Sequence, residues 1–310
     1  MSLRNYFVFV CALSVFTTAC SSSSAPILKI GLVAPFEGRY RELGYDVIHA
    51  IRLAINEFNS RDSQEVSFAL VAFDDGANPD LAKEQAHKIA TDPDVVAVLG
   101  HWLPETTNAV SAIYSSEGIP FLATANEDTN SATIFKLGPS TEDLSRLLEI
   151  YQSVNGDDRE WTLCECGIES VTAVGKDGGR LVVGPPVWSL NEFWELNRLE
   201  AGVVFVPTAL PRDLPAASTF QTAYEELSGG EAPGVFAMLA YDSTKMLLES
   251  IIDSEIMSPA EIRTAIKNGL LQGSYQGLAG VYEFDPAGQS IKTPASLYRW
   301  QDGNFIPVIP

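Results

Sequence analysis

The stretch ILKIGLVAP, from Ile27 to Pro35, is an almost continuous apolar run that stops at a proline. Runs of this kind are typical of strands buried on both faces, as in parallel sheets. Apolar residues then recur at helical spacing from Tyr45 to Asn59, and a second strand-like run covers Glu65–Asp74. The sequence therefore predicts a strand, a helix and a second strand in succession.

The same alternation continues after the second strand. Asn78-Pro79-Asp80 predicts the start of a helix that ends at Ala90, and Val95–Gly100 predicts a third buried strand. A helix over Thr106–Glu117 and a strand over Ile119–Ala123 follow. Strands that alternate with helices through short links form a parallel sheet with helices on both faces, which is an α/β fold. Ligands of such sheets bind beyond the carboxyl ends of the strands. This rule selects three loops: Phe36–Gly44, His101–Thr106 and Ala123–Thr129.

The pattern is less regular in the second half of the chain. We interpret Ile134–Gly138 as a crossing segment into a second unit, and Gly280–Pro310 as a strand-rich tail. Further strands are predicted at Trp161–Gly167, Arg180–Gly184 and Gly202–Pro207. Further helices are predicted within Ser140–Asn155 and at Thr219–Leu227, Phe236–Ser254 and Pro259–Asn268, with a short one near Ile168–Val174.

The amino terminus has the pattern of an export signal. Tyr6–Phe16 is apolar apart from Ser14, which is too short for a membrane span of about 20 residues. Thr17-Thr18-Ala19-Cys20 and the serines after it resemble a bacterial lipoprotein cleavage site. We therefore expect residues 1–20 to be a signal peptide, Cys20 to carry the lipid anchor, and residues 21–26 to be a tether. An ordinary cleaved signal is the alternative, and both place the protein outside the cytoplasm.

Composition narrows the classes of partner and activity. The 310 residues carry a formal net charge of −20, which argues against nucleic acid or an anionic membrane surface as a partner. The chain has no Gly-x-Ser-x-Gly, no His-Glu-x-x-His and no phosphate-binding Gly-Lys-Ser/Thr motif. The paired acids Asp74 and Asp75 are interpreted as a solvated turn. We therefore predict that the chain is not an enzyme.

Two cysteines remain in the folded body after processing, Cys164 and Cys166. A disulfide between residues two apart closes a very small ring, so we favour two thiols on one face of a strand over a disulfide. The three histidines of the chain are not close in sequence to this pair. We accordingly expect no metal site and no cofactor.

An ordered series of segments resembles the amino-acid-binding type of periplasmic solute receptor, in particular the leucine/isoleucine/valine-binding proteins of ABC importers. The series consists of Ile30–Pro35, Leu99-Gly100-His101, Ser111–Pro120, Ala240-Tyr241-Asp242 and Asp285–Gly288. The resemblance implies two α/β lobes that close around a small ligand, each a parallel sheet flanked by helices. It assigns residues 27–135 and 208–280 to lobe 1, and residues 136–207 and 281–310 to lobe 2. About 40 residues lie between the crossing segment and Arg180, so we expect a reduced second lobe.

The resemblance also implies a ligand site between the lobes. The loop after the third strand would bind a ligand carboxylate, with Trp102 as an apolar wall. The segment Gly184–Val187, which would supply an acid for the ligand amine, contains none. The residues expected to line the site are Phe36, Tyr40, His101, Trp102, Thr106, Thr107, Ala123, Thr124, Ala125, Asn126, Glu165 and Trp188.

Three functions follow from these observations. The first is a monomeric, lipid-anchored binding protein that delivers a small polar ligand, an amino acid or a related carboxylate or amide, to an ABC permease. The second is a receptor-like or interaction lipoprotein that has lost transport function. The third is an extracytoplasmic enzyme. The sequence does not predict the identity of the ligand.

Overall fold

A computed structural model describes residues 26–61, 66–124, 133–139, 141–164, 167–168, 181–197, 204–207, 210–251, 258–292, 295–301 and 304–308. Within these residues the chain forms two five-stranded sheets and one three-stranded sheet, with helices packed around them. The short helix predicted near Ile168–Val174 lies largely outside the described residues.

The first sheet is entirely parallel, with strand order β2-β1-β3-β4-β5. Its strands are β1 Ile27–Ala34, β2 Ser67–Asp74, β3 Val95–Gly100, β4 Phe121–Ala123 and β5 Ile134–Lys136. The prediction of a parallel sheet is confirmed. The segment that we interpreted as a crossing is instead the fifth strand of this sheet, since Ile134 pairs with Phe121.

Helices cover both faces of the first sheet because its strands present apolar side chains on both. Ile30 and Leu32 of β1 belong to one buried cluster, whereas Val33, the next residue, points to the opposite face and belongs to another. The helices are α1 Arg41–Asn59, α2 Pro79–Ala90, α3 Pro104–Ser116, α6 Ser218–Ser228, α7 Val235–Glu249 and α8 Pro259–Gln272. Helices α2 and α3 pack together on the Val33 face, whereas α1 packs along α7 and α8 lies against β3.

Helix α1 begins at Arg41, four residues before the predicted start, after a 3-10 turn at Gly38–Tyr40. Gly44 was interpreted as a loop residue, but it lies inside the helix. A Cβ atom at this position would be 2.3 Å from the carbonyl oxygen of Pro35. The glycine therefore allows the first turn of α1 to approach the end of β1.

Helix α2 begins as predicted from Asn78-Pro79-Asp80. The Asn78 side chain accepts hydrogen bonds from the backbone N–H groups of Asp80 at 2.9 Å and Leu81 at 3.0 Å. We expect Asn78→Ala to lower the free energy of unfolding by about 1 kcal/mol, because two first-turn donors lose their acceptor. Urea unfolding followed by circular dichroism measures the change. Asn78→Asp, which keeps the acceptor, is the control, and an equal loss in both variants would contradict a capping role.

The second sheet is mixed, with order β13-β12-β8-β7-β6. Its strands are β6 Trp161–Leu163, β7 Leu181–Val183, β8 Val204–Pro207, β12 Leu297–Gln301 and β13 Asn304–Pro307. Strands β6, β7 and β8 are parallel, and β12 runs antiparallel to both of its neighbours. Helix α4, Thr141–Asn155, packs through Leu148 and Tyr151 on one face, and the short helix α5, Asn191–Asn197, follows β7.

A small antiparallel sheet joins the carboxyl-terminal part to the helices of the first sheet. Its strands are β9 Ser274–Gln276, β10 Val281–Phe284 and β11 Ser290–Lys292. Asp242 of α7 is buried and accepts hydrogen bonds from Leu278 N at 2.9 Å, Ala279 N at 3.1 Å and the Tyr282 hydroxyl at 3.0 Å. This carboxylate therefore fixes the β9–β10 turn on α7. The predicted division of the chain into lobes stays a prediction.

Candidate functional site

The carboxyl ends of the first sheet bring the predicted loops together at one edge. The Thr124 hydroxyl, after β4, donates to the Trp102 carbonyl, after β3, at 3.1 Å. The backbone N–H of Phe36, after β1, donates to the Asp74 carboxylate at 2.9 Å. Parallel strands all end at this edge, so their loops meet there as the sequence predicted.

The turn that follows β3 has a backbone conformation that few residues adopt. Gly100 has φ +132°, and a Cβ atom there would lie 2.0 Å from the carbonyl oxygen of Val33. His101 has φ +47°, in the left-handed region. Its N–H donates to the Val33 carbonyl at 2.9 Å, and its own carbonyl accepts from the Thr107 hydroxyl. The chain therefore turns sharply between β3 and α3.

Trp102 lies at the centre of this edge and is almost fully enclosed, with 3% of its surface exposed. Its indole meets the Phe236 ring of α7 edge to face, with a centroid separation of 6.0 Å. The buried indole Nε1 has no hydrogen-bond partner in the protein. A buried donor without an acceptor costs about 1–3 kcal/mol, so this group is a candidate to donate to a bound molecule.

The amino terminus of α3 lies directly after Trp102. Leu103 is its N-cap and supplies no side-chain acceptor, and Pro104 has no N–H. The hydroxyl of Thr106 donates to the Leu103 carbonyl at 3.1 Å, and both Thr106 and Thr107 are buried. The predicted hydroxyls are therefore engaged with backbone, while the positive end of the helix dipole is available to an anion.

The His101 side chain is enclosed in the core and does not present a surface to a ligand, contrary to expectation. The residue has no exposed surface, and both ring nitrogens are engaged. Nδ1 lies 3.1 Å from the Asp75 carboxylate and Nε2 lies 3.0 Å from the Tyr114 hydroxyl. Burial lowers the pKa of His101, against the opposing influence of Asp75. The interpretation of Asp75 as part of a solvated turn is wrong, because this residue is 1% exposed.

Two other residues that we expected to line the ligand site, Tyr40 and Trp188, are buried and pack within the protein. The Tyr40 hydroxyl accepts a hydrogen bond from Ile168 N at 3.1 Å, so this buried residue joins the two halves of the chain. Trp188 is fully buried, stacks on Phe193 at 4.6 Å, and donates through Nε1 to the Gly167 carbonyl at 3.3 Å. Neither side chain is free to cover a ligand in this conformation.

The remaining predicted residues divide between described and undescribed segments. Phe36 and Thr124 are half-buried at the edge, and Ala123 is buried within β4. Ala125, Asn126 and Glu165 lie outside the described residues, as does Cys20. Cys164 is disulfide-bonded, so our preference for two free thiols is wrong; its partner lies outside the described residues.

The structure also shows polar groups that the sequence reasoning missed. Glu42 of α1 accepts hydrogen bonds from Asn191 through its backbone N–H at 2.9 Å and its amide at 3.0 Å. Together with the contact between Tyr40 and Ile168, this pair connects the start of α1 to residues 168 and 191, which belong to the part of the chain that forms the second sheet. No local signal marks these residues, because their partners are more than a hundred positions away. Within the described ranges, no cluster of three or more His, Cys, Asp or Glu could hold a metal ion.

Comparison with known proteins assigns this architecture. Residues 27–156 match the family model described as periplasmic binding protein. The Leu/Ile/Val-binding protein homolog 6 of Brucella suis is 24% identical over 251 residues, which are 80% of this chain and 60% of that protein. The chain thus spans about 60% of the length of the curated relatives it matches.

Solved structures show the same fold at low identity. An ABC transporter substrate-binding protein from Desulfitobacterium hafniense, in complex with Leu, matches with TM-score 0.71 and 18% identity over 91% of this chain and 99% of that one. The leucine binding protein LivK from Thermotoga maritima matches with TM-score 0.71 and 16% identity over 90% of this chain and 97% of that one.

These matches are described as binding proteins and transporter components, in agreement with the prediction that the chain is not an enzyme. Among the helices that the structure describes, none is long and apolar enough to cross a membrane. The resemblance to Leu/Ile/Val-binding proteins is confirmed: residues 27–156 match the periplasmic binding protein family, and the chain has the α/β fold of branched-chain amino acid ABC substrate-binding structures.

Proposed function

We propose that this chain is the extracytoplasmic solute-binding component of an ABC importer, and that its ligand is a branched-chain amino acid or the corresponding carboxylate. The observation that carries the proposal is the enclosed Trp102 indole, with an unpartnered Nε1, at the carboxyl edge of a parallel sheet. The fold supports it, because structures with the same fold are described in complex with Leu and with isoleucine.

An apolar side chain suits the surroundings of Trp102. The indole and the Phe236 ring form an aromatic wall, and rings of this size bury about 150–250 Å² each. Ligand sites of this kind are mostly apolar, with a few polar groups that fix orientation. The wall therefore favours an aliphatic group over a charged one.

The ligand carboxylate would bind at the amino terminus of α3. Leu103 leaves the first backbone N–H groups of this helix without a side-chain acceptor, and the helix dipole favours an anion there. Glu105 stands in the same first turn and is exposed. A ligand held by backbone groups depends little on the hydroxyl of Thr106, which already donates to Leu103.

Capture would follow from differential affinity of two conformations. A ligand that contacts both lobes only when they are closed shifts the population toward the closed form. The contacts from Tyr40 to Ile168 and from Glu42 to Asn191 already link the two halves of the chain.

Two observations favour the second candidate, a receptor-like lipoprotein without transport. Trp102 is 97% enclosed by the protein itself, and Pro104 removes one backbone donor at the expected carboxylate site. A site filled by its own side chains needs no ligand. The binding experiment separates the two candidates.

Thermal shift with leucine, isoleucine and valine tests the proposal, with aspartate and lysine as controls. A ligand at 100 times its Kd adds about 2.7 kcal/mol, which raises the midpoint measurably. We also compare leucine with 4-methylpentanoate, which lacks the amine. Equal shifts are expected, because Gly184–Val187 supplies no acid. No shift with any of these compounds would favour the receptor-like candidate.

We further propose that Cys20 carries a lipid that anchors the protein, as the sequence predicted. Replacing Cys20 by Ala should abolish fatty-acid labelling and release the protein from the membrane fraction, because the Cys20 residue is the proposed attachment point of the acyl chains. Two or more such chains are needed for stable anchoring. The measurement is metabolic labelling with a fatty acid, followed by fractionation. Cys11→Ala, a change within the apolar region of the signal, is the matched control and should leave labelling intact. An unlabelled wild-type protein would contradict the proposal.

A further inference from the structure

Three buried polar residues form a continuous chain beneath the proposed ligand site. Asp75 follows β2, His101 follows β3, and Tyr114 lies on the third turn of α3. The Asp75 Oδ2 to His101 Nδ1 distance is 3.1 Å and the His101 Nε2 to Tyr114 hydroxyl distance is 3.0 Å. All three are at most 1% exposed, so none can contact a ligand directly.

The hydrogen bonds fix one arrangement of protons. The Asp75 carboxylate can only accept, so His101 donates from Nδ1 and its Nε2 is an acceptor. The Tyr114 hydroxyl is then the donor to Nε2. The other carboxylate oxygen of Asp75 accepts from Ala77 N at 3.0 Å. Asp75 and His101 each have hydrogen-bond partners on both sides, and Tyr114 ends the chain as the donor to His101. A buried polar network whose members are satisfied in this way is rigid.

One member of the network, His101, lies directly before Trp102 in the turn after β3. The His101 backbone is fixed at both ends, by its N–H to Val33 and by its carbonyl to Thr107. Its left-handed φ of +47° is strained for a residue with a side chain. The two ring hydrogen bonds offset that strain, and Tyr114 ties the same ring to α3, whose amino terminus is the expected carboxylate site.

We propose that Asp75, His101 and Tyr114 are a positioning network that sets the separation between the Trp102 indole and the amino terminus of α3. The network holds the turn after β3 in its left-handed form and thereby aims the indole at the ligand. This inference rests on the proposed function for its consequence in binding. Its structural content, the placement of Trp102, is independent of any ligand.

The first test is made without ligand, on the mature protein labelled with 5-fluorotryptophan. The chain has five tryptophans, so five ¹⁹F resonances are expected, and Trp102→Phe assigns the one of interest. In Tyr114→Phe, which removes only the hydroxyl, we expect the Trp102 resonance to shift or broaden while the other four stay in place. Tyr282→Phe is the matched control, because it removes an equally buried hydroxyl that donates to Asp242 at 3.0 Å. It should leave the Trp102 resonance unchanged.

Asp75→Asn is the second variant, since it keeps the size of the side chain but removes its charge and replaces one acceptor oxygen by an NH2 donor, so that Ala77 N and His101 cannot both keep their acceptor. An unmoved Trp102 resonance in both Tyr114→Phe and Asp75→Asn would overturn the inference. So would an equal shift in Tyr282→Phe, because that result indicates a general loosening of the core.

The second test measures leucine binding by calorimetry. We expect Tyr114→Phe to raise the Kd for leucine at least ten-fold and Tyr282→Phe to leave it within two-fold. An unchanged Kd in Tyr114→Phe, beside a wild type that binds, would overturn the consequence for binding. A wild type that binds no leucine contradicts the proposed function instead, and the fluorine spectra then decide the positioning role alone.

Discussion

Asp46→Ala should lower the free energy of unfolding by about 2–4 kcal/mol, because a charged acceptor that joins three helices is lost. The Asp46 carboxylate, on α1, accepts hydrogen bonds from Gly234 N at 2.7 Å and Ala237 N at 2.9 Å at the start of α7. The Tyr224 hydroxyl of α6 lies 3.4 Å from the same carboxylate and 3.1 Å from the Asp46 backbone carbonyl, and only the backbone contact remains in the variant. Urea unfolding at pH 7 measures the loss. A change below about 1 kcal/mol would contradict the role of this carboxylate as a remote helix cap.

The same residue gives a pH dependence whose sign is fixed. Burial raises the pKa of Asp46 from 3.8 to about 6, and the hydrogen bonds from Gly234 and Ala237 only partly oppose it. Between these values the folded chain keeps a proton that the unfolded chain has released. The proton-linked part of the Asp46 contribution to stability is therefore complete below about pH 4 and is lost as the pH rises through about 6. The hydrogen bonds that the carboxylate accepts from Gly234 and Ala237 are a separate contribution, which the alanine variant measures at pH 7. Asp46→Asn should remove this decline from the measured curve, and an unchanged slope in that variant would contradict the assignment.

Trp102→Ala should weaken leucine binding by at least about 30-fold, which corresponds to about 2 kcal/mol. The enclosed indole supplies the apolar wall and the unpartnered Nε1 donor, and both are lost in the variant. Thr106→Ala should cost less than about ten-fold, because its hydroxyl donates to Leu103 and a neutral hydrogen bond contributes about 0.5–1.5 kcal/mol. Calorimetry with leucine provides both values.

Trp102→Ala also removes packing against Phe236, so its stability must be measured beside its affinity. Trp102→Phe keeps one aromatic ring and loses Nε1 together with part of the indole surface, and it should fall between alanine and wild type. A Kd that is unchanged in Trp102→Ala, together with a large loss in Thr106→Ala, would reverse the assignment of wall and anchor.

Local pattern was enough to predict the elements that are buried on both faces. Strand β3 has the predicted bounds, Val95–Gly100, because a strand inside a parallel sheet requires apolar side chains in every position. The start of α2 was also predictable, since Asn78 and Pro79 act within one turn. Strand β5 was not, because three residues carry no information about which sheet they join. The pairing of β5 with β4, and not the composition of β5, determines that it joins the first sheet.

The site was predictable as a location but not as a set of side chains. The strand-end rule placed the loops of Trp102 and Thr124 side by side, and the hydrogen bond between them confirms it. Whether a side chain faces the cleft or the core depends on partners that are distant in sequence. His101 turns inward because Asp75, 26 residues earlier, accepts from its ring. The same rule, applied across β1, could have paired the ends of β2 and β3 and identified this contact.

The order of segments along the chain has a consequence for biosynthesis. The five strands of the first sheet are complete at Lys136, yet α7 and α8, which cover one of its faces, begin at Val235 and Pro259. During translation α1 is the only one of the described helices on that face that can cover it until much of the remaining chain has left the ribosome. The first sheet therefore completes its packing only after α7 and α8 have been synthesised, about a hundred residues after its own last strand.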